Sequence, residues 1–238
     1  MPQEIIIEPM AERFIVWRCL HGGPLSLQSI DHWPSDSPLA WESYRARNLL
    51  LLRKLIQTYG TCAMLARDGD QVVGQLRFYP QAILSMEEAG MLCLQQDFPA
   101  GCTERLVEKR FPPLEEIEDK TLVVHCMMTG SPQQRENPYQ RKGIGTRLAN
   151  ALIAWAGERG WEQIEAGAFE DLPILYAFTG GAGKGFWERL GFRVVATRIE
   201  PELGREGELL RALREQAAAR GLDPESVMNL HTMRLALA

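Results

Sequence analysis

The sequence predicts an α/β protein: one mixed sheet with helices on its faces, antiparallel pairs at the front and a βαβ unit in the middle. Three observations carry that expectation. Two apolar runs, 62–67 (CAMLAR) and 71–79 (QVVGQLRFY), flank Asp68-Gly69-Asp70, which is the pattern of a β-hairpin around a tight turn. Residues 121–129 (TLVVHCMMT) form a nearly continuous apolar run, the signature of a strand buried on both faces. Residues 145–159 then place Leu148, Leu152 and Trp155 on one helical face, and Gly160 closes that helix before a further strand at 161–169.

The remaining elements follow from local signals. Residues 13–19 (RFIVWRC) are β-branched and aromatic, so a first strand is expected there, ended by His21-Gly22-Gly23-Pro24. Ser37-Pro38 supplies an N-cap and a first-turn proline for a helix running to Tyr59, with Gly60 at its C-terminus. A helix-like piece at 82–95 is broken by Pro99 and Gly101, and FPPLEEIEDK (111–120) is expected to pack on the side as an insertion. A short helix at 185–190 ends on Gly191, a strand follows at 192–199, and an amphipathic helix spans 203–220 up to Gly221. Asp223-Pro224 introduces the last strand, 227–237. With no repeat and no long linker, residues 1–238 form one domain, enlarged at about 81–120, at 200–226 and in the irregular stretch near 20–40.

Composition narrows the function classes. Hydrophobic residues at 45% and charged residues at 24% exclude disordered, collagen-like and disulfide-scaffold chains. The balance of 26 Lys+Arg against 31 Asp+Glu, net −5, comes without a basic tract, so no nucleic-acid partner is expected. The five cysteines (Cys19, Cys62, Cys93, Cys102 and Cys126) are odd in number and lack C-x-x-C spacing, which argues for reduced thiols rather than a disulfide framework or zinc knuckle. Asp31, His32 and His21 have no metal-ligand spacing, so no metal is expected. Glu4 and Glu8 sit where a signal peptide would need cations, and the aliphatic run 49–52 stops at Arg53. A cytoplasmic chain that does not engage a membrane is the expectation.

The stretch from Asn137 to Thr146 (NPYQRKGIGT) lies between the buried strand and the helix. Its glycines let the backbone approach a ligand, and the helix start offers unpaired N–H groups with the positive end of the dipole. Arg141 and Lys142 add charge, which makes the segment an anion cradle. Two nucleotide patterns fail. A dinucleotide fingerprint would follow the strand directly, yet eleven residues separate Met128 from Gln140, and Leu148 stands at the third glycine. The second glycine-rich segment, Thr179 to Gly185 (TGGAGKG), has Phe178 where a P-loop needs glycine and Gly185 where it needs Ser or Thr.

What remains is Q-x-x-G-x-G, formed by Gln140, Gly143 and Gly145, followed after one strand by Phe186–Phe192 (FWERLGF). In this order the two segments resemble motifs A and B of the GCN5-related N-acetyltransferase (GNAT) superfamily. The hairpin with Gly74 resembles the family's second and third strands. The resemblance covers 62–79 and 121–195. It implies the GNAT (acyl-CoA N-acyltransferase) fold, a central mixed, mostly antiparallel sheet flanked by helices. It also implies acetyl-CoA as acyl donor and a primary amine, on a small molecule or a protein, as acceptor in a ternary complex. By the same resemblance, Gln140, Arg141, Lys142, Gly143, Ile144, Gly145 and Thr146 hold the pyrophosphate, and Cys126, Met127 and Met128 lie along the pantetheine. His125 is the leading base because some members place histidine on this strand; the alternative is a neutral core histidine. Glu165, Glu170 and Asp171 are its rivals. The family's usual acid tyrosine falls at Trp187, which leaves water or Tyr176 to supply the proton. The segment 169–184 is longer than usual and lacks the family's asparagine. A non-catalytic acyl-CoA sensor or scaffold is therefore the second function class. The helix at 203–220 can serve a homodimer or pack within the chain.

Overall fold

The chain enters its sheet through IIEP, not through RFIVWRC. In the computed structural model, which describes residues 4–17, 25–26, 40–86, 106–130, 137–179, 181–205 and 207–237, β1 is Ile6–Pro9. The expected strand at 13–19 does not form within the described part: Phe14 makes one isolated bridge to Ala11, and residues 15–17 join no ladder. Ile15, Val16 and Trp17 are instead buried in the core. Arg77 Nη2 donates to the Val16 carbonyl at 2.7 Å and Asn48 Nδ2 to the Trp17 carbonyl at 3.0 Å. Side chains thus satisfy the backbone that a neighbouring strand would otherwise pair. The two-residue β2 (Leu25–Ser26) pairs with the strand Gln71–Pro80. Ser37-Pro38, the expected helix start, lies outside the described residues; α1 covers Ala40–Tyr59, and Gly60 ends it at φ 92°.

The hairpin forms as the D-G turn dictates. β3 (Ala63–Asp68) and β4 (Gln71–Pro80) pair antiparallel with Asp68 opposite Gln71, and β1 lies outside β3. Helix α2 is Gln81–Leu84, and the rest of the expected 82–95 helix falls largely outside the described residues. Phe111 and Ile117 of the insertion are buried, and Tyr59 Oη donates to the Pro112 carbonyl at 2.8 Å, tying that segment to α1.

Next come β5 (Thr121–Thr129), α3 (Ile144–Glu158), β6 (Gln163–Ala168), α4 (Pro173–Thr179), α5 (Lys184–Glu188) and β7 (Arg193–Ile199). The expected helix 203–220 is seen as α6 (Glu202–Arg205) and α7 (Gly207–Ala219), with residue 206 outside the described residues, before β8 (Asn229–Ala236). The sheet order is β1-β3-β4-β5-β6-β8-β7, with β2 beside β4. Among the described strands only β5 and β6 run parallel, and the other pairs are antiparallel. Helix α3 buries Ile144, Leu148, Leu152 and Ala156 against the sheet, and Trp155 packs on Phe78 at 5.5 Å between ring centroids. A second cluster joins Leu203, Leu213, Ala217 and Val227 to Leu172 and Leu175, so α7 packs within the chain against the α4 region.

One irregularity opens the sheet. Arg77 faces Cys126 and Phe78 faces Val124, leaving His125 as an extra residue in β5. Such a bulge bends and twists its strand. β5 pairs with β6 only over Thr121–Val124 against Gln163–Ala166 and parts from it at the bulge. The expectation that β5 is buried on both faces is therefore corrected: Thr121, Leu122 and Met128 are buried, but 123–127 are half-buried, and from residue 125 on the two strands diverge.

Candidate active site

The divergence of β5 from β6 creates a cleft with two connected parts. The larger, about 660 Å³, has Met127, Met128 and Thr129 on one wall and Tyr139–Arg141 with Gly143–Thr146 at one end. Pro173, Tyr176, Phe186 and Arg189 also line it. The backbone turns sharply into α3: Arg141 at φ 58° and Gly143 at φ 72° are both left-handed. For arginine that conformation costs about 1–2 kcal/mol, so packing and the Asn137 anchor must hold it. Gly143 caps α3 with no side-chain hydrogen bond. The helix therefore leaves the N–H groups of Ile144, Gly145 and Thr146 without intrahelical acceptors.

The loop before the cradle is tied at both ends. Asn137 Nδ2 donates to the Thr129 carbonyl at 2.9 Å, the Tyr139 N–H donates to Asn137 Oδ1 at 3.0 Å, and Tyr139 Oη donates to Asp68 Oδ2 at 3.1 Å. Burial, then Asp68, raises the Tyr139 phenol above its ordinary value. Of the ten residues expected along the donor, eight line the larger cavity; Cys126 and Lys142 do not. Tyr139, Phe186 and Arg189 escaped the sequence reading. Tyr139 sits inside NPYQRKG and Phe186 and Arg189 inside FWERLGF, so the motifs that were noticed contained them.

The smaller part, about 150 Å³, is lined by His125, Gly167–Glu170, Leu175, Tyr176 and Gly181–Gly183, and shares Tyr176, Gly181 and Ala182 with the larger. The His125 ring packs on Tyr79 with centroids 5.4 Å apart. Tyr176 Oη donates to Asp171 Oδ1, and its phenol is pushed up to about 12, first by burial and then by Asp171. Asp171 Oδ2 accepts the Gly185 N–H at 2.7 Å. A Cβ on Gly183 or Gly185 would collide with the Asp171 carboxylate. The glycine-rich stretch is thus the seat of a carboxylate rather than of a phosphate.

Glu165 lines neither part of the cleft. It stands opposite Arg234 on β8 and accepts from Arg234 Nε at 2.7 Å. Trp187, where the resemblance implies a tyrosine, is 2% exposed and packs edge-on against Phe186, with Phe192 at 4.9 Å. Among the described residues no group of three His, Cys, Asp or Glu side chains could hold a metal ion, and no helix is long and apolar enough to cross a membrane.

No protein-family model and no curated protein matches the chain. Solved structures align along its length at low identity. Ard1 from Thermoplasma volcanium is 11% identical over 98% of this chain and 98% of its own, with a TM-score of 0.45. NAA60 from Arabidopsis thaliana, solved in complex with acetyl-CoA, is 10% identical over 98% and 99%, with a TM-score of 0.46. An acetyltransferase of the GNAT family from Streptococcus pneumoniae is 11% identical over 99% and 100%, with a TM-score of 0.47.

Proposed function

We propose that this chain is a GNAT-superfamily N-acetyltransferase that transfers the acetyl group of acetyl-CoA to a primary amine by direct attack in a ternary complex. One observation carries the proposal. The bulge at His125 frees the far half of β5 from β6, so its backbone lies open along a cleft that ends at the unpaired N–H groups of α3.

Each part of the cleft then has a task. The cradle from Gln140 to Thr146 holds the pyrophosphate, with Arg141, Lys142 and Arg189 supplying positive charge. Backbone groups at Cys126, Met127 and Met128 pair with the pantetheine amides, and an N–H there polarises the thioester carbonyl, an effect of about 3 kcal/mol. The acceptor nitrogen must lose a proton before it attacks; His125, in the wall of the smaller cavity, takes it. Attack forms the amide C–N bond and breaks the C–S bond; the thiolate leaves, and the second proton shed by the new amide nitrogen passes to it through water. Tyr176 is an orienting hydroxyl in this scheme: its proton is directed at Asp171, and transfer from a phenol near 12 to a thiolate whose thiol sits near 8.5 runs uphill. Glu165 serves as a cross-strand ion pair. A cytoplasmic setting accords with the reduced, buried thiol of Cys62.

The buried Trp187 and the committed hydroxyl of Tyr176 favour a second reading, an acyl-CoA sensor without turnover. Thiol release from acetyl-CoA, followed with a panel of primary amines, separates the two. Amine-dependent release supports the transferase; CoA binding without release on any amine supports the sensor.

A further inference from the structure

We infer that the smaller cavity seats the ammonium group of the acceptor, and that Glu170, oriented by His231 and Thr197, selects for it. This inference rests on the acyl-transfer reading above and names the acceptor class for that same cleft.

Glu170 follows the end of β6 by two residues and lines the smaller cavity, the part that His125 also lines. Its side chain is only 16% exposed. One oxygen is anchored: Oε1 lies 3.2 Å from His231 Nε2 and 3.6 Å from Lys184 Nζ. The other is not among the buried atoms left without a partner and accepts no hydrogen bond from a described residue, so it is open to a donor entering the cavity. A carboxylate largely withdrawn from bulk water gains when a charged donor replaces that solvent.

The imidazole that holds Glu170 is itself fixed. His231 lies within β8 between β6 and β7, opposite both Ala168 and Thr197, and its Nδ1 is 2.9 Å from Thr197 Oγ1. The tautomer with its proton on Nε2 satisfies both contacts, donating to Glu170 and accepting from the threonine hydroxyl. Glu170 is therefore set by a hydrogen-bonded chain rooted in two strands, although it sits on a connecting segment. A carboxylate placed this firmly can discriminate a charged head group from a neutral one of equal size.

The rest of the lining sets what accompanies the charge. Gly167, Ala168, Phe169, Leu175 and Ala182 present small or apolar surface. The volume, about 150 Å³, corresponds to about five water-sized groups. A short unbranched alkylammonium fits both charge and size, and its nitrogen would lie in the part of the cleft that His125 shares.

The test uses the full chain saturated with CoA, titrated with n-butylammonium chloride and, separately, with n-butanol, followed by NMR shifts. The wild-type protein should bind n-butylammonium at least tenfold more tightly than n-butanol. Glu170→Gln should erase that preference while CoA affinity, measured by calorimetry, stays unchanged. His231→Leu should weaken n-butylammonium binding similarly, and His231→Gln, which keeps a donor for Glu170, should restore it. A wild-type site indifferent to charge overturns the inference, as does a Glu170→Gln variant that binds n-butylammonium like the wild type. Equal behaviour of the two His231 variants overturns the positioning role. If the wild-type chain fails to bind CoA at all, the acyl-transfer reading falls and takes this inference with it. Intact CoA binding beside a charge-blind pocket removes this inference alone.

Discussion

Gly74 decides how closely the cradle helix approaches the sheet. A Cβ there would lie 3.1 Å from both Ala66 Cβ and Ile144 Cγ2, and 3.3 Å from Leu148 Cδ1. Ile144 is the first residue of α3, so any added bulk pushes at the cradle itself. Gly74→Ala should destabilise the fold by about 1–3 kcal/mol in urea titration and weaken CoA binding as well. Unchanged stability would show that the helix has slack the contacts do not suggest. Tyr59 carries a pH signature. Burial pushes its phenol up to about 12, and burial likewise raises the Cys62 thiol to about 12. Below the unfolded values of 10.0 and 9.0, both states hold these protons and the contribution is fully present. As pH rises toward 12 the unfolded chain releases them first, so stability falls across that window. Tyr59→Phe should cost about 1 kcal/mol at neutral pH, through the lost bond to Pro112, yet flatten the alkaline decline in Tm. A decline as steep as in the wild type would assign the alkaline sensitivity elsewhere.

At the scale of elements, what the sequence reveals depends on whether the determinant is local. The hairpin was legible because D-G chemistry fixes the turn within two residues. The span of β5 was legible because apolar runs mark strands, but its half-buried centre was not. The His125 bulge is a property of register against Arg77 and Phe78 on another strand, which no window along β5 contains. RFIVWRC misled because β-branched residues favour both strands and buried irregular segments, and here the carbonyls found Arg77 and Asn48 instead of a ladder. The turn into α3 was legible because a helix start with its flanking glycines is one contiguous segment. Phe186 and Arg189 lay inside FWERLGF, yet nothing along the chain set them across from Met127, and the Thr197–His231–Glu170 chain joins distant segments that leave no spacing to find. The brace on α4 is equally non-local: Gln216 Oε1 accepts the Ile174 N–H at 3.3 Å, and Arg220 Nη1 donates to the Asp171 carbonyl at 2.9 Å. Gln216→Ala should speed amide exchange at 174–176 several-fold, since a lost hydrogen bond of about 1 kcal/mol changes opening by about fivefold. Exchange in α3 should be unaffected. No change in α4 would mean that the Leu213 and Ala217 packing alone holds it.

For the whole molecule, the described residues beyond hairpin, strand, helix and strand act as support. The segment around Phe111 and Ile117 is fastened to α1, and α6 with α7 forms a second apolar cluster behind the wall that carries Tyr176. The described parts of these additions sit beside or behind the cleft, so on the proposed reading they shape the acceptor end while the donor end depends on the contiguous cradle. That division makes donor binding the claim on which everything else stands. Calorimetric titration of acetyl-CoA into the wild-type chain and into Gly145→Asp tests it most directly. Position 145 has helical backbone, and an added Cβ would meet Met127 Cε only at 3.4 Å, so the variant should fold with an unchanged Tm. Its carboxylate would face the pyrophosphate, a like-charge contact costing several kcal/mol. The account requires saturable one-to-one binding by the wild type and a loss of about a hundredfold or more in the variant. No binding by the wild type, or equal affinity in both, would contradict it.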